Sequence, residues 1–175
     1  MDNTIYKKRR INLSEQLPKN SALLIPGADI QYRNADSAYA FRQDSNFYYL
    51  SGFCEQESLI VILKGDDSCS SIVFVPPKDK LKETWDGYRA GPIGAVEKYL
   101  FDKSYDNSEI DKLMPEILKG CEQVLYPIGK KNGFDQLVID WTTDARSKDR
   151  HSKTINILDA SSLIGNARLI KDDHE

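Results

Sequence analysis

Histidine is nearly absent from this chain, which has only His151 and His174. A nucleophilic hydrolase needs a serine or cysteine beside a base. Both imidazoles lie in polar surroundings towards the C-terminal end, far in sequence from any plausible nucleophile loop, so a catalytic triad is not expected. The GxSxG elbow, the P-loop and the GxGxxG turn are missing too, and with them the nucleophile and phosphate chemistry they support. No HExxH or CxxC pair offers metal ligands at a workable spacing. The acidic doublets Asp66-Asp67 and Asp172-Asp173 stand in turn-like or terminal contexts. They read as solvated carboxylates, since a hard-cation site needs several converging oxygens. No catalytic residue and no metal ligand is therefore assigned within this chain.

Surplus positive charge is lacking as well. Lys and Arg number 24 against 27 Asp and Glu, a net charge of −3, and phosphate binding needs an excess of cations on one face. Nucleic acid is not an expected partner. The run Lys7-Lys8-Arg9-Arg10 is the exception. It reads as the solvated face of an opening helix, because Tyr6, Leu13 and Leu17 form a stripe on the other side at helical spacing. No signal peptide and no apolar run long enough to cross a bilayer is apparent, so no membrane contact is expected and the cytoplasm is the expected compartment. Cys54, Cys69 and Cys121 form no spacing motif and read as reduced, partly buried thiols.

What remains suits one compact domain of 175 residues, with 40% hydrophobic and 29% charged residues, a composition that favours an ordered globular chain. Residues 4–17 read as a helix stopped by Pro18, and "SALLIP" (21–26) as a buried strand. "SLIVILK" (58–64) and "SSIVFVP" (70–76) read as an antiparallel hairpin across "GDDS". Ile93, Val96 and Leu100 fit one helical face. So do Ile110, Leu113, Met114, Ile117 and Leu118, with Ser108 as a candidate cap and Pro115 predicting a kink or a displaced start. "EQVLYPIG" (122–129) reads as a strand, and Phe134, Leu137, Val138, Trp141 and Ala145 as an amphipathic helix. "TINILDA" (154–160) follows as a last strand, with a short helix near 160–165. Strands in a meander followed by alternating helix and strand imply an α/β fold, a mixed β-sheet flanked by helices.

The segment "YRNADSAYAFRQDSNFYYLSGF" (32–53) is neither alternating nor continuously apolar. It sets Tyr32, Tyr39, Phe41, Phe47, Tyr48, Tyr49 and Phe53 among Arg33, Asp36, Arg42, Gln43, Asp44 and Asn46. Phe47 to Leu50 have strand propensity, and Gly52 is a breaker. For Asp36 a turn-capping role is the bland reading. Trp85 lies among Glu83, Asp86, Gly87 and Arg89, a polar, loop-like setting. An exposed, functional indole is expected there, against simple core burial. Arg89 reads as a loop-stabilising ion-pair partner.

The 32–53 text resembles the signature of the N-terminal domain of aminopeptidase P, the Xaa-Pro aminopeptidases of the creatinase/prolidase "pita-bread" superfamily. "RRINLSEQLPKNSALLIPGA" is similar to that family's opening helix and first strand, "ETWDGYRAG" to its Trp-Gly-Arg-Gly loop, and "NARLIKDDHE" to its hinge. Cys54-Glu55-Gln56 departs from the family's frequent Asn-Glu-Pro. The resemblance implies the creatinase/aminopeptidase P N-terminal fold with its ribonuclease H-like motif over 1–166, and over 167–175 the start of a hinge to a C-terminal catalytic domain absent from this chain. That domain would hold two Mn²⁺ ions and release the N-terminal residue preceding proline. Asp36 then matches an acidic position networked with active-site groups, and Trp85 a tryptophan that reaches the substrate pocket of a neighbouring subunit. With a second domain implied, Asp36, Arg42 and Gln43 are candidate docking groups of the interdomain surface, since such interfaces mix aromatic anchors with paired polar groups. The implied partners are the catalytic domain, neighbouring subunits of a homo-oligomer and proline-containing peptides. Two alternatives stand beside this reading: a stand-alone protein-interaction module of the same descent, and the N-terminal domain of an Xaa-Pro dipeptidase.

Overall fold

The computed structural model describes residues 3–147 and 154–171. His151, His174 and the Asp172-Asp173 doublet lie outside the described residues. A six-stranded sheet forms the centre. Its strands are β1 (Ser21–Pro26), β4 (Leu59–Lys64), β5 (Cys69–Val75), β6 (Lys103–Asp106), β7 (Gln123–Tyr126) and β8 (Asn156–Asp159), in the order β6-β5-β4-β1-β7-β8. Only β4 runs against its neighbours; the β1–β7, β7–β8 and β5–β6 pairs are parallel. A small hairpin of β2 (Tyr32–Asn34) and β3 (Ser37–Ala38) stands apart.

Strand β1 is buried along its whole length, as a central strand covered on both faces must be. Its alternating side chains divide the core. Leu23 and Ile25 face one layer, made by α1 (Thr4–Glu15), α2 (Ser45–Ser51), α4 (Gly91–Glu97) and α7 (Ser161–Ala167). Ala22 and Leu24 face the other, made by α5 (Ile110–Leu118) and α6 (Phe134–Ser147). The expected mixed sheet flanked by helices is therefore the observed architecture, and the 58–64 and 70–76 runs pair antiparallel as expected.

Several local expectations fail for identifiable reasons. Phe47 to Leu50 are helical, because Asp44 caps α2 by accepting from the Asn46 and Phe47 amides at 2.9 and 3.1 Å. Gly52 ends the same helix at φ 64 with its N–H on the Tyr48 carbonyl. Caps at both ends outweigh the weak strand propensity of aromatic residues. The basic run is not one solvated face: Lys7 and Lys8 are exposed, but Arg10 is only 2% exposed. On α4, Ile93 and Val96 point to solvent and Ala95 is buried, while Leu100 lies beyond the helix at φ 58. Ser108 does not cap α5; Asp106 instead accepts from the Ser108 amide and hydroxyl at 2.8 and 2.7 Å. The three cysteines are free, with Cys54 and Cys69 exposed rather than partly buried.

Candidate functional site

Strands β1, β5, β6, β7 and β8 all end at one edge of the sheet, where β4 begins. Loops at the carboxyl ends of strands are where α/β sheets place their binding crevices. Both segments expected to act leave this edge. From β1 the chain runs out through Gly27 into the β2–β3 hairpin, with Asp36 in its exposed turn, and then through Tyr39 to Gln43 into α2. From β5 it runs into α3 (Lys80–Asp86), which carries Trp85. Trp85 thus belongs to a short helix rather than to the expected loop, because Asp79 caps it by accepting from the Leu81 and Lys82 amides. Strand β4 alone separates β1 from β5 in the sheet, so the two exits are about 10 Å apart at the usual strand spacing.

Arg42 is exposed and borders three clefts, of which two are lined by charged partners from other elements. The larger, about 970 Å³, lies between α1, α2 and the end of the described chain; Arg9, Phe41, Tyr48, Tyr49, Arg168 and Lys171 are among its walls. Among the described residues, its charged lining is cationic. Arg9 stacks its guanidinium 4.2 Å from the centre of the Tyr49 ring. Tyr49 donates its hydroxyl to the Ala167 carbonyl at 2.7 Å, and Arg168 donates to Asn46 Oδ1 at 2.5 Å. Ala167 and Arg168 are thereby tied to α2, in the cleft that Arg42 borders.

The second cleft, about 600 Å³, is bordered by Asp29, Asp44, Lys130 and Lys131. Here Lys130 pairs with Asp44 at 2.8 Å and Lys131 with Asp29 at 2.8 Å, while Lys131 also donates to the Gly27 carbonyl. Burial alone would raise the Asp44 carboxyl. The Lys130 ammonium and the Phe47 and Asn46 amides outweigh it and hold the group below the usual carboxylate range.

Gln43 sits differently from Asp36 and Arg42: it is only 8% exposed, and its amide is spent inside the chain. Its Oε1 accepts from the Ala28 and Asp44 amides, and its Nε2 donates to the Glu55 carbonyl. Glu55 was not singled out by the sequence. Its Oε1 accepts from the Ala90 amide at 2.7 Å. Burial pushes its carboxyl above the usual value, with the Ala90 amide and Arg89 pulling the other way. No local pattern signals this residue, since Ala90 is 35 positions away; Asp44, by contrast, is readable as a helix cap once α2 is recognised.

The described residues contain no cluster of three or more His, Cys, Asp or Glu able to hold a metal. They do not fit a metal centre, and no chemical step is derived through one. What the edge does offer is a polar and aromatic surface: an exposed hairpin, clefts sharing Arg42, and a short helix carrying a tryptophan.

This mixed α/β sheet and its edge loops define a domain of a known peptidase family: the chain belongs to the family described as aminopeptidase P, N-terminal domain, whose model matches residues 6–126. Among relatives, the chain is 33% identical over 173 residues to the Xaa-Pro aminopeptidase of Escherichia coli, covering 97% of this chain and 39% of that protein. It is 38% identical over 124 residues to intermediate cleaving peptidase 55 of Saccharomyces cerevisiae, covering 69% of this chain and 24% of the relative. Escherichia coli aminopeptidase P with the inhibitor Pro-Leu superposes with a TM-score of 0.93 at 31% identity, over 100% of this chain and 40% of that structure. Pseudomonas aeruginosa aminopeptidase PepP gives a TM-score of 0.92 at 32% identity, with the same coverage. The chain thus spans well under half the length of these proteins.

Proposed function

We propose that this chain is the non-catalytic N-terminal domain of an Xaa-Pro aminopeptidase, and that it shapes the substrate cleft of a catalytic domain and supports oligomerisation. The observation that carries the reading is the convergence of the Asp36 hairpin and the Trp85 helix on one sheet edge, in a chain matching about two fifths of aminopeptidase P structures. In this reading the domain covers 1–166 and the hinge begins at 167. The hydrogen bonds from Tyr49 and Arg168 that tie the chain to α2 support that placement of the hinge. The reacting centre, two Mn²⁺ ions activating water, belongs to the C-terminal domain of a cytoplasmic enzyme.

Asp36 and Arg42 are then polar contacts of the interdomain surface, Gln43 holds their segment from behind, and Trp85 is presented to a substrate pocket. The test is peptide cleavage by the full-length protein with and without Mn²⁺, beside the purified 175-residue chain. Release of the first residue from an Xaa-Pro peptide is expected only from the full-length protein with metal. Cleavage by the isolated chain overturns the reading.

A further inference from the structure

The segments carrying Asp36 and Trp85 both bond to Glu55. Gln43 fixes the first: it accepts from Ala28 and Asp44 at 2.7 and 2.9 Å and donates to the Glu55 carbonyl at 2.8 Å. Glu55 reaches the second, its Oε1 accepting from the Ala90 N–H just beyond α3. Within that second segment Glu83 turns back to accept from the Arg89 N–H at 3.0 Å. The turn that holds Glu55 is itself pinned, with Gly27 N–H donating to the Ser58 carbonyl at 2.8 Å and the Ser58 hydroxyl donating to the Gln56 carbonyl at 3.0 Å.

Among the described side chains, apolar burial does little to place α3 itself, while Ala90 beyond it belongs to the first core layer. Neither core cluster contains a described side chain of this helix, and Leu81 on its surface is 81% exposed. Where the described side chains of a helix bury no apolar face, polar ties help to place it, and weakly anchored segments open at low free energy. Among the described ties, the Glu55 carboxylate leads to the Asp36 and Arg42 segment.

We propose that Glu55 is a positioning residue that sets where the Trp85-bearing segment stands relative to the segment carrying Asp36 and Arg42. Its consequence for peptide cleavage rests on the function proposed above; the tie itself does not. One oxygen carries the contact, since Oε2 is buried without a hydrogen-bond partner among the described residues. Glu55→Gln keeps an oxygen for Ala90, whereas Glu55→Ala removes it.

Hydrogen exchange on the 175-residue chain reads the contact directly. Glu55→Ala is expected to speed exchange of the Ala90 amide about tenfold or more while the β1 and β4 amides are unchanged. Glu55→Gln is expected to restore most of the protection. If Glu55→Ala does not fold, Glu55→Asp, which shortens the reach by one methylene, is expected to loosen Ala90 in a folded chain. Unchanged Ala90 protection in the folded variants overturns the proposal, and so does a Glu55→Gln chain that exchanges as fast as Glu55→Ala.

In the full-length protein, Glu55→Ala is expected to raise KM for an Xaa-Pro peptide about tenfold, with metal content and kcat nearly unchanged and with rescue by Glu55→Gln. An unchanged KM in an active protein overturns the positioning role. If wild-type full-length protein cleaves no such peptide, the functional reading fails, and the exchange result still decides the tie.

Discussion

Arg10→Met tests the reasoning about the fold most sharply, because it removes a cation from the interior rather than from the surface. The guanidinium donates from Nη1 to the Leu50 carbonyl at 2.7 Å, and from Nη2 to the Tyr99 and Leu100 carbonyls at 3.1 and 2.8 Å. It also lies 4.0 Å from the centre of the Phe101 ring. Burial pushes it down to about 10, against the pull of Asp102, which leaves it charged at neutral pH. Methionine of similar length would leave three carbonyls without their donor. At about 1 kcal/mol or more for each unsatisfied group, that is roughly 3 kcal/mol, and the lost ring contact adds about 1 kcal/mol. Relief of the buried charge offsets part of this, so a net loss of about 2–4 kcal/mol is expected. In urea this lowers the midpoint by roughly 1–2 M at unchanged slope. Arg10→Lys keeps the charge but not the fork, and is expected to fall between wild type and Arg10→Met. A midpoint within about 0.2 M of wild type for Arg10→Met would refute the argument that the guanidinium links α1 to the end of α2 and to residues 99–101.

Three further changes follow from the same contacts. Gly52→Ala is expected to destabilise the chain by about 2 kcal/mol or more in thermal melts, since the residue has φ 64 and its new β-carbon would run into the Tyr6 ring. Asp44→Ala removes the α2 cap and the Lys130 pair and is expected to cost about 1–2 kcal/mol at pH 7. Because the folded Asp44 carboxyl lies below its ordinary 3.8, its contribution is full above that value and is lost as pH falls through the folded one, so the variant's acid limb should be shallower. Glu55 has the opposite sign. Its folded carboxyl lies above the ordinary 4.5, the folded state binds more protons in that window, and stability falls as pH rises through it. Denaturation of Glu55→Gln across this range is expected to lack that fall.

The sheet was legible where both faces of a strand are buried. "SALLIP", "SLIVILK" and "SSIVFVP" are apolar runs because β1, β4 and β5 lie inside the sheet. Strand β6 was not read, since Lys103–Asp106 is an edge strand with no fully buried residue. The β2–β3 hairpin is exposed throughout and carries no apolar period. Helix α3 was missed for a related reason: its described side chains join neither core, so periodicity had nothing to record, and only the Asp79 cap marked it. The candidate site divides in the same way. Asp36, Arg42, Gln43 and Trp85 were named from two separate stretches of family-like text, but the Gln43–Glu55–Ala90 ties join positions 12 and 35 residues apart, which only the folded sheet edge brings together.

The basic run shows what a closer reading of helical geometry adds. At 3.6 residues per turn, each residue is about 100° from the last, so four consecutive positions sweep most of the circumference. Lys7-Lys8-Arg9-Arg10 therefore cannot occupy one solvated face, whatever their charge. Tyr6, Leu13 and Leu17 are buried, and the stripe they define has a gap of one turn at position 10, where Arg10 lies. The pattern thus already required a buried residue there. An arginine suits the place because the end of α2 and the segment before Phe101 present three carbonyls to it. One guanidinium donates to all three and lies over the Phe101 ring. The charge that makes the run look like surface is what lets its last member close the interior between α1 and α2, the two helices that wall the larger cleft.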